Sequence, residues 1–326
     1  MNPFVYIANK NDPWINLAIE SVLFDLLNDD EIYLYLWQND NTIVIGRNQN
    51  AWRECRVEKF LKEGGHLSRR PSGGGAVYQD MGNLNFTFIA PKSVYNVHRQ
   101  LKVIVSAVNS LGINAKFSGR NDILAEGKKF SGNAFYSGRG KAMHHGTILI
   151  DTNFEKLSDY LQVSKAKMKS KGVRSVKSRV INLKTLKQDL TVDMMKEALI
   201  ESFNREYGVV SENKPINDLY ETEIFKNYYD RYSSKEWILG KSPDFDVIHE
   251  KRFEWGEVEI GLTIKSGKIK QCKVYSDAMD ADIIEDISSA LKGLPFNSIS
   301  IVGEIQKFDS NEITKDLKAW IKTWKY

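Results

Sequence analysis

The chain has 326 residues, of which 42% are hydrophobic and 27% charged, with a net charge of +4. This length and composition are ordinary for a globular protein with one large domain and one small domain. The positive balance is too weak to indicate nucleic-acid binding by itself, but it fits an anionic substrate or an acidic protein partner.

The cysteine content and the lack of long apolar runs indicate the cellular compartment. The two cysteines, Cys55 and Cys272, form neither a disulfide framework nor a zinc-ligand spacing, which favours a reducing environment. The first ten residues lack the pattern of a secretion signal, and no apolar run reaches about 18 residues. We therefore expect a cytoplasmic protein without a membrane span, a nucleic-acid partner or a metal cluster.

The first part of the chain mixes helical and strand patterns. Asp12 and Pro13 open a predicted helix, because Asp caps helices and Pro favours the first helical position. The further predictions, in chain order, are strands over 32–36 and 42–45, a hairpin over 76–78 and 84–89 turning at 82–83, a helix over 96–111 and a strand over 148–150.

Residues 69–78, with the sequence RRPSGGGAVY, are the most distinctive stretch. Consecutive glycines expose backbone N–H groups that can form an anion-binding concavity, and arginine guanidinium groups suit phosphate or carboxylate. The local pattern predicts about equally a loop that holds an anionic substrate and a flexible hairpin flanked by solvated arginines. It is neither a phosphate P-loop nor a dinucleotide fingerprint.

Four more segments carry polar groups beside strands. The cluster 46–50 is either a site at a strand end or a surface turn, and the lysine pair at 128–129 is solvated or functional. His144 and His145 point to opposite faces of a strand, so they cannot readily share one metal ion. The basic run 165–179 has five lysines, two arginines and no acid, which is typical of a solvated face or of a mobile loop that closes over phosphate.

The pattern changes beyond the segment 240–245, which has the composition of a domain boundary. We predict domains over 1–243 and 244–326, the second a small α+β domain. The elements predicted in this half are helices over 191–207 and 216–232, a meander over 253–264 and 269–275, a helix over 280–294, a strand over 298–302 and a helix over 311–324.

Seven short motifs, in this order, resemble the lipoate–protein ligase A family over the whole chain. They are GRNQN at 46–50, RRPSGGGAVY at 69–78, GNLN at 82–85, GRND at 119–122, KFSGNA at 129–134, HGT at 145–147 and KGVRSV at 171–176. The resemblance implies an α+β fold: a mixed-sheet catalytic domain of the biotin/lipoate ligase type with flanking helices, and an accessory domain. Pro71 and Gln79 depart from the family pattern, at positions that bear on the substrate pocket and on the stiffness of the loop.

The reaction that the resemblance implies has two steps. Lipoate and ATP, with Mg²⁺, form lipoyl-adenylate and pyrophosphate, and a carrier lysine then takes the lipoyl group. The implied carriers are lipoyl domains of 2-oxo acid dehydrogenases and the glycine-cleavage H protein.

The implied catalytic residue is Lys129, which would contact the lipoyl carboxyl and the α-phosphate. Asp122 would orient Lys129 or hold Mg²⁺. The implied binding residues are Arg70, Ser72, Gly73, Gly74, Gly75, Ala76, Val77, Tyr78, Asn83, Asp122, Lys129, His145, Gly172, Ser175 and Arg179.

The main alternative is a lipoyl or octanoyl transferase between carrier proteins, which in some forms needs a nucleophilic cysteine. Neither Cys55 nor Cys272 lies in a motif typical of such a site. A biotin ligase has a different glycine-loop pattern, and a non-catalytic lipoate-binding protein would be expected to lack Lys129 or Arg70.

Overall fold

The structure is a computed structural model that describes residues 1–118, 121–162, 179–240, 245–309 and 311–324. Its strands are β1 (Asn2–Ile7), β2 (Glu31–Trp37), β3 (Thr42–Ile45), β4 (His66–Arg69), β5 (Val77–Gln79), β6 (Asn83–Pro91), β7 (Ala115–Ser118), β8 (Asp122–Ala125), β9 (Lys128–Gly138), β10 (Lys141–Leu149), β11 (Glu212–Lys214), β12 (Val247–Arg252), β13 (Glu257–Lys265) and β14 (Lys268–Ser276). Its helices are α1 (Pro13–Leu26), α2 (Ala51–Glu54), α3 (Val57–Lys62), α4 (Val97–Ser110), α5 (Phe154–Tyr160), α6 (Val192–Tyr207), α7 (Glu223–Ser233), α8 (Lys235–Leu239), α9 (Ala281–Ala290), α10 (Ser298–Ile305) and α11 (Glu312–Ile321).

An eight-stranded mixed sheet, in the order β11-β1-β2-β6-β10-β9-β8-β7, forms the centre of the first domain. β1 pairs in parallel with β11 and β2, and the remaining pairs are antiparallel. Helices cover both faces, so β2 is buried on both sides. Ile32 and Leu34 pack under α4 and α6, whereas Tyr33 and Tyr35 pack under α1 and α7.

A second, three-stranded sheet in the order β4-β3-β5 lies beside the large one and carries the glycine loop between β4 and β5. Ile43 and Ile45 of β3 pack against Phe60 of α3 and Tyr160 of α5. The loop is therefore held at both ends by strands with a buried face.

The accessory domain is a three-stranded antiparallel sheet, in the order β12-β13-β14, packed against α9, α10 and α11. Its core is separate from the others and contains Val258 and Ile260 of β13 beside Ile287 and Leu317. Among the described residues, no helix is long and apolar enough to cross a membrane.

Three sequence predictions about elements were wrong. The predicted hairpin at 76–89 does not form, because β5 pairs with β3 and β6 pairs with β2 and β10. The predicted strand 298–302 is helix α10, since Asn297 accepts a hydrogen bond from the Ser300 N–H and the buried Ile301 and Ile305 are four residues apart. The predicted helix 216–232 is a 3₁₀ turn followed by α7, which Thr222 caps.

Candidate active site

A cavity of about 320 Å³ lies where the two sheets of the first domain meet the accessory domain. Most of the predicted site residues line it: Arg70, Gly74, Gly75, Ala76, Val77, Tyr78, Asp122, Lys129, His145 and Arg179. Ser72, Gly73 and Asn83 do not line the cavity and are buried behind its wall. Gly172 and Ser175 lie outside the described residues.

Lys129 lies over Gly132 and reaches Asp122. The β8–β9 hairpin turns at Glu126 and Gly127, both with positive φ, and its register shifts between Ile123 and Leu124. Asp122 therefore faces Gly132 directly, and Lys129 Nζ is 2.7 Å from Asp122 Oδ1 across the glycine. A Cβ at position 132 would be only 2.7 Å from Nζ, so the lysine takes this path because position 132 is glycine.

Arg70 organises the glycine loop from inside. Its Nη2 donates to Gly73 O at 2.7 Å and Gly75 O at 2.8 Å, and its Nε donates to Gly73 O at 3.1 Å. Burial lowers its pKa to about 10, so it remains cationic at neutral pH. The sequence predicts that Arg70 binds phosphate, and in this structure its Nε and Nη2 donate to carbonyls of the loop.

Arg69 does not face the cavity, although it is adjacent to Arg70 in sequence. Its guanidinium donates to five carbonyl oxygens, those of Gly46, Arg47, Gln49, Trp237 and Ile238. Two of these carbonyls belong to α8, near whose C-terminus a cation is favourable. Arg69 thus fastens α8 to the turn after β3, a structural role that the local sequence pattern left open.

His145 lies between the glycine loop and α1. Its Nε2 is 2.6 Å from Ser72 Oγ, and its Nδ1 is 2.8 Å from Oε1 of Glu20. The neighbouring His144 points to the opposite face, where its Nε2 is 2.7 Å from Asn133 Oδ1. Burial is the main reason why the pKa of His144 is lowered to about 3, so its ring is neutral.

The accessory domain closes one side of the cavity. Gly74 N–H donates to Ala278 O at 3.1 Å, and a Cβ on Gly73 would be 2.2 Å from the same oxygen. The 46–50 cluster joins the contact, since Arg47 forms ion pairs with Asp282 and Glu285. This cluster is therefore an interdomain contact.

Several residues that line the cavity were not predicted from the sequence. Trp37 and Asn85 come from the large sheet, and Arg252 and Met279 come from the accessory domain. A signal existed for Asn85, because Asn83, Asn85 and Thr87 alternate with large apolar residues in a buried strand. No local signal marks Arg252 or Met279, which reach the cavity only because the domains dock.

The chemistry of the donor set bears on metal binding and on cysteine catalysis. Within the described ranges, no group of three His, Cys, Asp or Glu side chains could hold a metal ion. Cys55 is 1% exposed, does not line the cavity, and has its pKa raised to about 12 mainly by burial. A thiol in this state is not a nucleophile at neutral pH.

Comparisons with known proteins identify the family of the chain. Residues 12–204 match the model of the lipoyl protein ligase A/B catalytic domain, and residues 242–321 match that of the bacterial lipoate protein ligase C-terminus. The two matches, one for each domain, place the chain in the class of lipoyl protein ligases.

One curated relative, lipoate-protein ligase A of Psychrobacter cryohalolentis, is 38% identical over 95% of this chain and 93% of its own length. The chain therefore belongs to the lipoate–protein ligase A family, and it is an enzyme of the ligase class.

Solved structures show the same architecture. The structure of P. falciparum LipL1 in complex with lipoate has a TM-score of 0.89 and 30% identity, covering 98% of this chain and 99% of that one. A Thermoplasma acidophilum bipartite lipoate protein ligase, studied with its E2 lipoyl domain, has a TM-score of 0.65 and 25% identity, covering 76% and 100%. A lipoate-protein ligase A bound with ATP has a TM-score of 0.63 and 25% identity, covering 74% and 99%.

Proposed function

We propose that the protein activates free lipoate with ATP to lipoyl-adenylate and transfers the lipoyl group to a lysine of a carrier domain. The observation that carries the proposal is the placement of the Lys129 ammonium. It lies at the wall of a cavity that also contains the glycine loop, 2.7 Å from the carboxylate of Asp122. Solved relatives with lipoate and with ATP bound support the choice of substrates.

In the first step, a lipoate carboxylate oxygen attacks the α-phosphorus of ATP and pyrophosphate leaves. Both reactants are anions, so they approach each other only where cationic and N–H groups offset their repulsion. We assign Lys129 to this role, with its ammonium between the carboxylate and the α-phosphate. Its contact with Asp122 supports an orienting role for the aspartate.

The glycine loop and the cavity wall would hold the substrates. Gly75, Ala76 and Val77 offer backbone close to the space in which the reactants must meet. Arg70 keeps that backbone in shape through its bonds to the loop carbonyls, and adds a positive charge beneath it. The apolar part of the wall, which includes Leu17 and Trp37, suits the lipoyl tail.

Mg²⁺ is expected to enter with the phosphates of ATP. The ion usually binds through one or two carboxylates, waters and substrate phosphates. Asp122 is one carboxylate, but its Oδ1 is engaged by the Lys129 ammonium. Asp122 is therefore better suited to contact a Mg²⁺ ion that is already bound to the phosphates than to bind the metal on its own. An ion held in this way would offset the negative charge of the phosphates.

In the second step, a carrier lysine amine attacks the lipoyl carbonyl, an amide forms and AMP leaves. Arg179 lines the cavity and is the last residue of the basic run 165–179. We assign this run the role of shielding the adenylate from water, so that it is not hydrolysed. We assign catalysis to residues 1–243 and closure of the cavity to residues 244–326.

The carriers that we propose are lipoyl domains of 2-oxo acid dehydrogenases or the glycine-cleavage H protein, in the cytoplasm. The Thermoplasma ligase that was studied with its E2 lipoyl domain supports this class of partner. Carriers of this kind are generally acidic, so the net charge of +4 would steer their encounter with the enzyme. The alternative, a transferase that uses an acyl-cysteine, is disfavoured by the burial of Cys55.

Lipoate-dependent exchange of labelled pyrophosphate into ATP tests the first step. Wild-type protein should catalyse the exchange, and Lys129→Ala should lower its rate by about 100-fold or more. Lys128→Ala is the matched control, because Lys128 is the exposed neighbour and does not line the cavity. Normal exchange by Lys129→Ala would refute the assignment.

A further inference from the structure

Three buried side chains from different elements have the connectivity of a serine–histidine–acid relay. Ser72 Oγ of the glycine loop is 2.6 Å from His145 Nε2 on β10, and His145 Nδ1 is 2.8 Å from Glu20 Oε1 on α1. Glu20 and Ser72 are 0% exposed and His145 is 5% exposed. We call this set the Glu20–His145–Ser72 relay.

The hydrogen bonds around Glu20 fix the direction of the relay. Oε1 of Glu20 accepts from Thr87 Oγ1 at 2.7 Å, and Thr87 Oγ1 itself accepts from Trp37 Nε1 at 3.0 Å. The carboxylate can only accept, so the nitrogen of His145 that faces it must carry a proton. A neutral His145 is then protonated at Nδ1 and bare at Nε2.

The rest of the relay follows from that tautomer. The bare Nε2 accepts the hydroxyl proton of Ser72, and Ser72 Oγ in turn accepts from Arg70 Nε at 3.2 Å. The same arginine donates to Gly73 O and Gly75 O. The carboxylate on α1 is thus connected, through two side chains, to the group that shapes the glycine loop.

The relay has the geometry of a hydrolase triad, but its surroundings do not support a nucleophilic serine. Ser72 does not line the cavity and is fully buried. Its oxygen lies between His145 Nε2 and Arg70 Nε. A triad serine must present its oxygen to a substrate carbonyl. The geometry therefore favours positioning over covalent catalysis.

We propose that Glu20 is a positioning residue of the ligase site: it fixes the Nδ1–H tautomer of His145, and thereby the Ser72 hydroxyl and the glycine loop. Without the carboxylate, the imidazole proton can move to Nε2. Two donors, His145 Nε2 and Arg70 Nε, then point at Ser72 Oγ, and the hydroxyl proton loses its acceptor in a buried place. An unsatisfied buried donor is costly, so the glycine loop is expected to change its conformation.

The effect on catalysis rests on the proposed function, because the loop would line the lipoate and ATP site. Shifts of about 1 Å in positioning groups can lower rates by about 100-fold. We expect Glu20→Leu, which has a similar volume and no acceptor, to lower kcat/KM for lipoate by about 10- to 100-fold. Glu20→Gln keeps an oxygen that can accept from Nδ1, and should recover much of that loss.

The direct test reads the tautomer in the ligand-free protein. Long-range ¹H–¹⁵N spectra of histidine-labelled protein distinguish Nδ1–H from Nε2–H imidazole, the chain has five histidines, and His145→Gln assigns the signal. We predict Nδ1–H for neutral His145 in the wild type and in Glu20→Gln, and a shift toward Nε2–H in Glu20→Leu.

Two results would overturn the proposal. One is an Nε2–H tautomer in the wild type, which needs no variant to fold. The other is equal loss of activity in Glu20→Leu and Glu20→Gln with the tautomer unchanged, which would indicate packing alone. Failure of the proposed function would look different, because pyrophosphate exchange would be absent from the wild type while the tautomer signal remained.

Discussion

The substitution Gly132→Ala tests whether the path of Lys129 matters for catalysis. A Cβ on residue 132 would be 2.7 Å from Lys129 Nζ and 2.9 Å from its Cε. Ordinary contacts between such atoms need about 3.5–4.0 Å, so the ammonium must withdraw by about 1 Å. The stability of the fold should change little, because the atoms that must move are at the end of the flexible Lys129 side chain.

Activity should fall far more than stability. A displacement of about 1 Å of a positioning group can cost about 100-fold in rate, which corresponds to about 2.7 kcal/mol in the activation free energy. We expect lipoate-dependent pyrophosphate exchange to fall by about that factor in Gly132→Ala. The free energy of unfolding, from urea titration, should change by no more than about 1 kcal/mol.

Gly303→Ala is the matched control for the glycine-to-alanine change. Gly303 is an exposed residue of α10, and nothing would lie within 4 Å of a Cβ there. This variant should keep full exchange activity and gain about 0.5–1 kcal/mol in stability. An exchange rate within about threefold of wild type for Gly132→Ala, with an unchanged fold, would refute the role given to the lysine's position.

Three further predictions concern the domain contact and two buried groups. Gly73→Ala places a Cβ against Ala278 O, a backbone atom, and should lower both exchange activity and the free energy of unfolding, the latter by about 1–3 kcal/mol in urea; unchanged values would contradict the docking. Cys55→Ser should keep carrier lipoylation, and the wild-type protein should show no acyl-thioester by mass spectrometry, whereas an acyl-thioester on Cys55 of the wild type, or loss of lipoylation in Cys55→Ser, would support the transferase. The pKa of His144 is lowered from 6.5 to about 3. The free energy of unfolding should therefore fall as the pH drops from about 6.5 toward 3, and His144 should contribute at most about 1.4 kcal/mol of this loss per pH unit. The loss should be smaller in His144→Gln, and parallel pH curves for the wild type and this variant would contradict the prediction.

Features set by short-range spacing were predictable from the sequence. The helix that begins after Asp12 and the helix after Asn96 follow from capping side chains and helical spacing of apolar residues. The family and the fold class were also identified correctly from the seven motifs. Motif residues such as Lys129 and Gly132 lie within one hairpin, so their juxtaposition depends on few long-range contacts.

Features that depend on distant parts of the chain were not predictable. Arg69 and Arg70 are adjacent, yet Arg69 donates to carbonyls of α8 and Arg70 donates to carbonyls of the glycine loop. The Ile238 carbonyl that accepts from Arg69 is 169 residues away in the sequence, so no local pattern identifies it. Strand β6 pairs with β2 and β10 rather than with β5, and nothing in its local sequence chooses among these partners.

Glu20 is a charged residue on the buried face of α1. A carboxylate within the apolar residues of α1 is expensive to bury unless it is hydrogen-bonded, so its position on the buried face indicated a polar partner. Which partner it has depends on the large sheet, where β6 and β10 place Thr87 and His145 directly opposite each other. The sequence alone therefore predicts a polar partner but does not identify it.

The most direct test of the proposed function is the mass of a purified apo-carrier domain after incubation with this protein, free lipoate and Mg-ATP. We predict an increase of one lipoyl group that requires ATP and is lost with Lys129→Ala but not with Lys128→Ala. Modification without ATP, from a lipoylated donor protein, would contradict the ligase mechanism and establish a transferase.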